Sequence, residues 1–155
     1  NLLRDEIILF FDRFQERSIE PDIDIPERPC YISGNADMLE RTVSNIVNNA
    51  LTHGHGDLAL KSEEKNGKCI LTFKNRTDTV SQNDVSQVFE RFYTTDKSRN
   101  KKTTGLGLSI AKKFTEKMGG KISAALDDGY FVIRIEFPTV KAPAPIDGGR
   151  SVRWR

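Results

Sequence analysis

The chain has few cysteines, no long apolar run and almost no excess of charge, and each shortage excludes something. Its two cysteines, Cys30 and Cys69, stand far apart in strand-like apolar contexts, without the paired spacing of a zinc site or a redox loop. They read as reduced core thiols of a cytoplasmic protein. Apolar runs such as Ile7 to Phe11 stop far short of the roughly 18 to 20 residues that span a bilayer. With 24 basic and 22 acidic side chains the net charge is only +2, so no field of one sign points to a polyanion, and no nucleic-acid partner is expected. What remains is an ordinary globular mixture: 155 residues, 37% hydrophobic, with nine Phe to anchor one core. The chain starts at Asn1 without Met or a leader, and no regulatory module is evident, so a piece of a longer protein is expected.

Apolar spacing predicts the elements. Leu3, Ile7, Phe10, Phe11 and Phe14 recur at helical period before Glu20-Pro21 breaks it. Pro26 and Pro29 frame an extended stretch, Cys30-Tyr31-Ile32, read as a strand, and Ser33-Gly34-Asn35 turns into a second helix striped with Leu39, Val43, Ile46, Val47 and Ala50. Strands on either side of Asn66-Gly67 form a hairpin, and a second hairpin is expected around Asp127-Asp128-Gly129. Between them come a short helix around Val85, Val88, Phe89 and Phe92, a basic loop from Thr94 to Thr104, and a helix from Leu106 to Met118 capped by Gly119-Gly120. This order predicts an α+β two-layer sandwich with helices on one face of the sheet. The tail from Thr139, rich in Pro, Gly and Arg, adds little core and reads as vector-derived.

Two clusters suggest chemistry. Gly105-Leu106-Gly107-Leu108 opens a helix directly after a loop bearing Lys97, Arg99, Lys101 and Lys102. Free N–H groups and the helix dipole there favour an anion, and glycine admits phosphate closely, although the same pattern serves a plain loop-to-helix junction. Asn45 and Asn49 lie four apart and share one face of the second helix. Their amide oxygens suit a hard cation such as Mg2+, which takes one or two protein oxygens beside phosphates and waters. The plainer alternative is a fraying helix end at Asn48 and Asn49 with Asn45 bonded locally.

Taken in order, the pieces resemble the catalytic and ATP-binding domain of bacterial sensor histidine kinases, within the gyrase-containing GHKL superfamily. Asn45-Ile46-Val47-Asn48-Asn49-Ala50 is similar to that family's N box, Val88-Phe89-Glu90-Arg91-Phe92-Tyr93 to its F box, and Thr104-Gly105-Leu106-Gly107-Leu108 to its G2 box. The likeness runs from about Asn35 to Phe137. It implies a Bergerat-type sandwich, with a mixed, mainly antiparallel sheet of about five strands on three helices. It divides the chain into 1–18, an N-terminal helix or the end of a connection to a dimerisation hairpin, 19–138, the ATP-binding domain, and the 139–155 tail.

The resemblance further implies ATP and Mg2+ as ligands, with Asn49 on the metal and Asn45 beside it orienting phosphate or water. Where hydrolytic relatives carry a water-activating Glu, this chain has Asn45, an amide that cannot act as a general base, so phosphoryl transfer is favoured over hydrolysis. Thr94 to Thr104 becomes an ATP lid whose Lys97 and Arg99 neutralise the γ-phosphate. Thr104, Gly105, Leu106, Gly107 and Leu108 admit the phosphates, and Phe92 belongs to the lid base. The acceptor is a His on a separate dimerisation domain of the same protein; neither His53 nor His55 has the setting of that acceptor, and a response regulator follows indirectly. This fragment is expected to be a cytoplasmic monomer and its parent a homodimer, membrane-anchored in many such sensors.

Two departures from the family pattern stand out. The G1 box, usually Asp-x-Gly-x-Gly, reads Asn75-Arg76-Thr77-Asp78-Thr79, so adenine falls to the Asn75 carbonyl or, from an altered position, to Asp78. After the N box, Thr52-His53 replaces the frequent Lys-Tyr; His53 reads as a helix-end cap or a nucleotide contact. The degraded G1 segment keeps open a pseudokinase interaction module, and the shared fold keeps open a serine kinase of the anti-sigma-factor type. A eukaryotic-type kinase is disfavoured, because His-Arg-Asp and Asp-Phe-Gly are missing.

Overall fold

The computed structural model describes residues 2–93 and 105–142. Ten elements follow in chain order: α1 (Leu2–Ile8), α2 (Phe11–Glu16), β1 (Asp22–Asp24), α3 (Ala36–His53), β2 (Leu58–Lys65), β3 (Lys68–Arg76), α4 (Gln82–Val85), α5 (Gly107–Lys117), β4 (Lys121–Asp127) and β5 (Tyr130–Pro138). The strands form one sheet in the order β1-β2-β3-β5-β4. β1 runs parallel to β2, with α3 as the crossover that a parallel pair requires, and every other pairing is antiparallel. This is the predicted α+β sandwich with a mixed sheet of five strands.

Period-two alternation decides which side of the sheet is covered. On β5, Phe131, Ile133, Ile135 and Phe137 are buried while Arg134 is exposed between them. On β3, Cys69, Leu71 and Phe73 face the same layer, and the alternation carries Asn75 inward as well, buried at 6% exposure. Val43, Ile46, Val47, Ala50 and Leu51 of α3 complete the core, with Ala111 of α5 fully buried beside them. Asn35 caps α3, its side-chain oxygen accepting from the Met38 N–H at 3.0 Å. Both hairpin turns hold two residues at positive φ, Asn66 and Gly67 at 52° and 70°, Asp128 and Gly129 at 46° and 77°, as their sequences require.

Three expectations are corrected. The first strand is not Cys30-Tyr31-Ile32 but Asp22–Asp24; the former contributes only an isolated bridge from Ile32 to Thr139. Cys30 and Ile32 are apolar because they pack on the core, whereas β1 is a short edge whose flanking carboxylates stay in water. The expected single helix from Leu2 to Phe14 is two, because Phe10 turns at φ −95°, ψ 0° and donates its N–H to the Ile7 carbonyl. That turn directs Leu3, Ile7, Phe10 and Phe14 into the core and leaves Ile8, Leu9 and Phe11 exposed. Finally, the helix expected around Val85 to Phe92 ends at Val85. Successive i to i−3 bonds continue as turns, and Phe92 at φ 65° cannot be helical. Among the described residues no helix is long and apolar enough to cross a membrane.

Candidate nucleotide site

α3 runs unbroken to His53, so the Asn pair sits on a formed helix and not on a frayed end. Its two polar faces have different duties. Asn48 accepts from the Arg13 guanidinium, Leu51 O from Arg17, and Ser44 donates to Glu6, so this side of α3 holds α1 and α2. Asn45 and Asn49 lie half-buried one turn apart on the side away from these bonds. Among the described residues neither of their amides has a hydrogen-bond partner.

Gly107 begins α5 directly above Asn45: a Cβ at Gly107 would lie 3.7 Å from Asn45 Oδ1. The first turn of α5 carries no acidic residue and no side-chain cap, so its leading N–H groups are not taken up by a cap. Ser109 Oγ turns back to the Leu106 carbonyl at 2.9 Å, leaving the approach to that turn unblocked. Leu106, Gly107 and Leu108 are half-buried. Gly105 is there for backbone reasons: φ is 64°, and a Cβ would meet the Phe92 carbonyl carbon at 2.8 Å. The Phe92 N–H donates to the Gly105 carbonyl at 2.9 Å, which holds these two residues together. The Phe92 ring itself is 69% exposed and lies near the Arg91 guanidinium, so it is the Phe92 backbone that joins the F box to the G2 box. Tyr93 donates to Asp84, tying the F box to α4; accepting that bond, the Asp84 carboxylate raises the Tyr93 phenol above its usual value. Lys97, Arg99 and Thr104 lie outside the described residues.

The G1 segment meets the far end of α3. Asn75 is buried against Gly54, where a Cβ would stand 3.0 Å from Asn75 Nδ2 and 2.4 Å from the Ala50 carbonyl oxygen. Gly54 thus admits β3 to the helix end, a role its place beside a loop did not reveal in the sequence. Asn75 Nδ2 donates to the Arg76 carbonyl at 3.3 Å. Where the family has glycines, Thr77 is buried and its Oγ1 accepts from the Thr79 N–H at 3.2 Å, while its own N–H reaches the Gly129 carbonyl at 3.0 Å. Neither threonine has a positive φ, so the loop has taken a shape open to β-branched residues. Asp78 points outward to His55 Nε2 at 2.7 Å, a pairing that sequence spacing gave no sign of. Its carboxylate is therefore engaged at the surface, and Asn75 carries the buried amide of this segment. His53 occupies the last turn of α3, and the helix closes with the Gly54 N–H on the Ala50 carbonyl at 2.8 Å.

The arrangement joins two amides with no hydrogen-bond partner among the described residues and an open helix N-terminus, all on the helical layer, with a buried amide at the end of β3. Residues 34–141 match the family described as histidine kinase-, DNA gyrase B- and HSP90-like ATPase. The sensor histidine kinase YcbM of Bacillus subtilis is 37% identical over 129 residues, covering 79% of this chain and 41% of that protein. WalK of the same organism is 33% identical over 130 residues, covering 78% of this chain and 21% of its own length. Among solved structures, the nucleotide-free catalytic domain of histidine kinase ThkA superposes with a TM-score of 0.77 at 21% identity, covering 88% of this chain and 90% of that one. The mycobacterial sensor histidine kinase MprB gives 0.77 at 22% identity, covering 89% and 93%. The chain spans less than half the length of the two curated relatives. With the N box, F box and G2 box in one site and this family match over most of its length, the chain belongs to the histidine kinase-, gyrase- and HSP90-like ATPases, as a catalytic domain of the sensor histidine kinase type.

Proposed function

We propose that this domain binds Mg-ATP between α3, α5 and the end of β3 and presents the γ-phosphoryl group to a histidine on a separate dimerisation domain of its parent protein. The observation that carries the proposal is the placement of Asn45 beneath the uncapped start of α5, with Asn49 one turn along the same helix and neither amide hydrogen-bonded among the described residues. Two neutral oxygens with a helix N-terminus above them suit a phosphate chain and its cation. Asn49 supplies the metal ligand and Asn45 orients phosphate or water. When bound, Mg2+ screens the charge that builds on the phosphates. Gly107 lets phosphate approach the backbone, and the Leu106 and Leu108 side chains close the flanks.

Asn75 takes the place of the usual acidic adenine acceptor. Its carbonyl oxygen accepts from the exocyclic amine as a neutral group, which gives a weaker contact than a carboxylate. With Asn45 in place of a general base, water is not activated, and the γ-phosphoryl waits for an incoming imidazole. Lys97 and Arg99 of the lid neutralise the γ-phosphate, Thr104 belongs to the nucleotide-binding residues, and Phe92 belongs to the lid base. The parent acts as a homodimer, and a response regulator receives the phosphoryl group from the histidine. The names of YcbM and WalK, both sensor histidine kinases, support this transfer direction.

Calorimetric titration of the folded domain with ATP, with and without Mg2+, and with GTP, tests the reading. Magnesium-dependent ATP binding in the micromolar to sub-millimolar range, about −5 to −8 kcal/mol, with preference over GTP, is the expected result. A folded sample that binds no nucleotide overturns it in favour of an interaction module.

A further inference from the structure

The two cysteines, far apart in the chain, line one cavity in the structure. Cys69 is on the helix-facing side of β3, in line with Leu71 and Phe73, and is buried; Cys30, half-buried, packs on the same core from the loop before α3. The backbone holds both segments at one end of the sheet. Thr139 donates its N–H to the Gly67 carbonyl at 2.9 Å, and Val140 donates to the Tyr31 carbonyl at 2.8 Å. Both thiols line the same cavity of about 450 Å³, whose apolar wall includes Leu3, Ile25, Pro29 and Phe137. This cavity is apart from the nucleotide site: neither Asn45, Asn49 nor Asn75 lines it. Among the described residues no third His, Cys, Asp or Glu joins them in a metal-sized group, so the pair is a dithiol and not a metal cradle.

We propose that Cys30 and Cys69 are a modification site that low-molecular-weight disulfides convert to an intrachain disulfide. The Cys30 thiolate attacks one sulfur of the reagent RSSR, forming Cys30–S–S–R and releasing RS⁻. Cys69, giving up its proton, then attacks the Cys30 sulfur, forming the Cys30–Cys69 bond and expelling the second RS⁻. The protein loses two hydrogens and two electrons, and RSSR becomes two RSH. Cys30 attacks first because it is the more exposed thiol. Burial raises both thiols, and the Cys69 hydrogen bond to Cys30 raises Cys69 further while offsetting part of the rise at Cys30. The reaction is therefore slow at neutral pH and faster in mild alkali. The closed loop encloses all of α3 and β2, so oxidation restrains the helix that carries Asn45 and Asn49.

The test is to incubate the native chain with oxidised glutathione, quench with iodoacetamide, and read intact and peptide masses. Expected are the loss of two hydrogens, a Cys30–Cys69 linked peptide, a raised melting temperature, and reversal by dithiothreitol. Cys69→Ser should stop at one glutathione on Cys30, and Cys30→Ser should remain largely unmodified. Circular dichroism of each variant keeps a folding failure separate from a failure of the chemistry. A native wild-type chain that keeps both thiols alkylatable, stops at the mixed disulfide, or links only after denaturation overturns the proposal. None of these outcomes depends on nucleotide binding.

Discussion

Gly54→Ala separates the packing of the candidate site from its chemistry. Gly54 has an ordinary φ of −85°, so alanine brings no left-handed strain, and the whole effect comes from where its Cβ lands. That atom would stand 2.4 Å from the Ala50 carbonyl oxygen and 3.0 Å from Asn75 Nδ2. Relief of the first contact needs a retreat of about 1 Å, and it must come from backbone, since the contacting atom is the Ala50 carbonyl oxygen in the last turn of α3, which accepts the Gly54 N–H. Overpacking of this kind costs about 1–3 kcal/mol. For a domain of this size that is a fall of about 2–12 °C in melting temperature. The same retreat moves the end of α3 away from Asn75, so ATP affinity should fall with stability. Thermal unfolding by circular dichroism and ATP calorimetry on the same sample measure both. A variant that melts within a degree of wild type would refute the claim that glycine is needed for close approach. Lowered stability with undiminished ATP affinity would instead remove Asn75 from the adenine site.

Four further outcomes are expected. Asn49→Ala should abolish Mg-dependent nucleotide binding with an unchanged melting curve, because the amide has no hydrogen-bond partner among the described residues; retained Mg-ATP affinity would remove Asn49 from the metal. Asn75→Ala should reduce the preference for ATP over GTP in competition calorimetry, and an unchanged ratio would place the adenine contact elsewhere. Thr115→Val should stabilise the domain by about 1 kcal/mol in urea titrations, since the fully buried Thr115 hydroxyl has no hydrogen-bond partner among the described residues and valine keeps the shape. Lys68 Nζ at 2.6 Å, and then Arg134 Nε at 3.0 Å, hold the Glu136 carboxyl below the usual carboxylate range. Its contribution is thus present above the unfolded carboxylate value and is lost as pH falls through the depressed folded value. Glu136→Gln should flatten that acidic limb of the melting-temperature profile, and an unaltered slope would show that the pair carries none of it.

The parts of the fold with a strict period were legible. α3, α5, the two hairpins and their left-handed turns followed from apolar spacing and from Asn66-Gly67 and Asp128-Gly129. What was missed depends on contacts the chain makes only after folding. β1 is three residues held by β2, and its own composition of two Asp around one Ile carries no strand signal. Cys30 to Ile32 carries that signal because Cys30 and Ile32 pack on the core, with no more than an isolated bridge to pair them. The turn at Phe10 is invisible to periodicity, since a local tightening keeps the apolar residues on the core side.

At the candidate site, the placement of Asn45, Asn49 and Gly107 was readable because each sits on a regular element with fixed geometry. The pairing of Asp78 with His55 and the close approach at Gly54 were not, since both join segments distant in the chain.

α3 explains why these pieces can vary independently. One of its faces is consumed by the N-terminal helices, through Ser44, Asn48 and the Leu51 carbonyl, and its apolar stripe is consumed by the sheet. On the remaining arc the amides of Asn45 and Asn49 are left without hydrogen-bond partners among the described residues, and α5 begins over Asn45 with a glycine. Substitutions on the first two faces must act through stability, and those on the third through ligands alone. The G1 segment follows the same division. Thr77 and Thr79 satisfy one another and the Gly129 carbonyl, so the loop that lost its glycines is held by its own hydrogen bonds. Asn75 is thereby kept at the core-facing end of β3, where the alternation of the strand, and not the loop sequence, decides its direction. A loop that departs from the family pattern while the strand before it keeps register leaves the position of Asn75, the proposed adenine contact, intact, with a neutral amide where the family has a carboxylate.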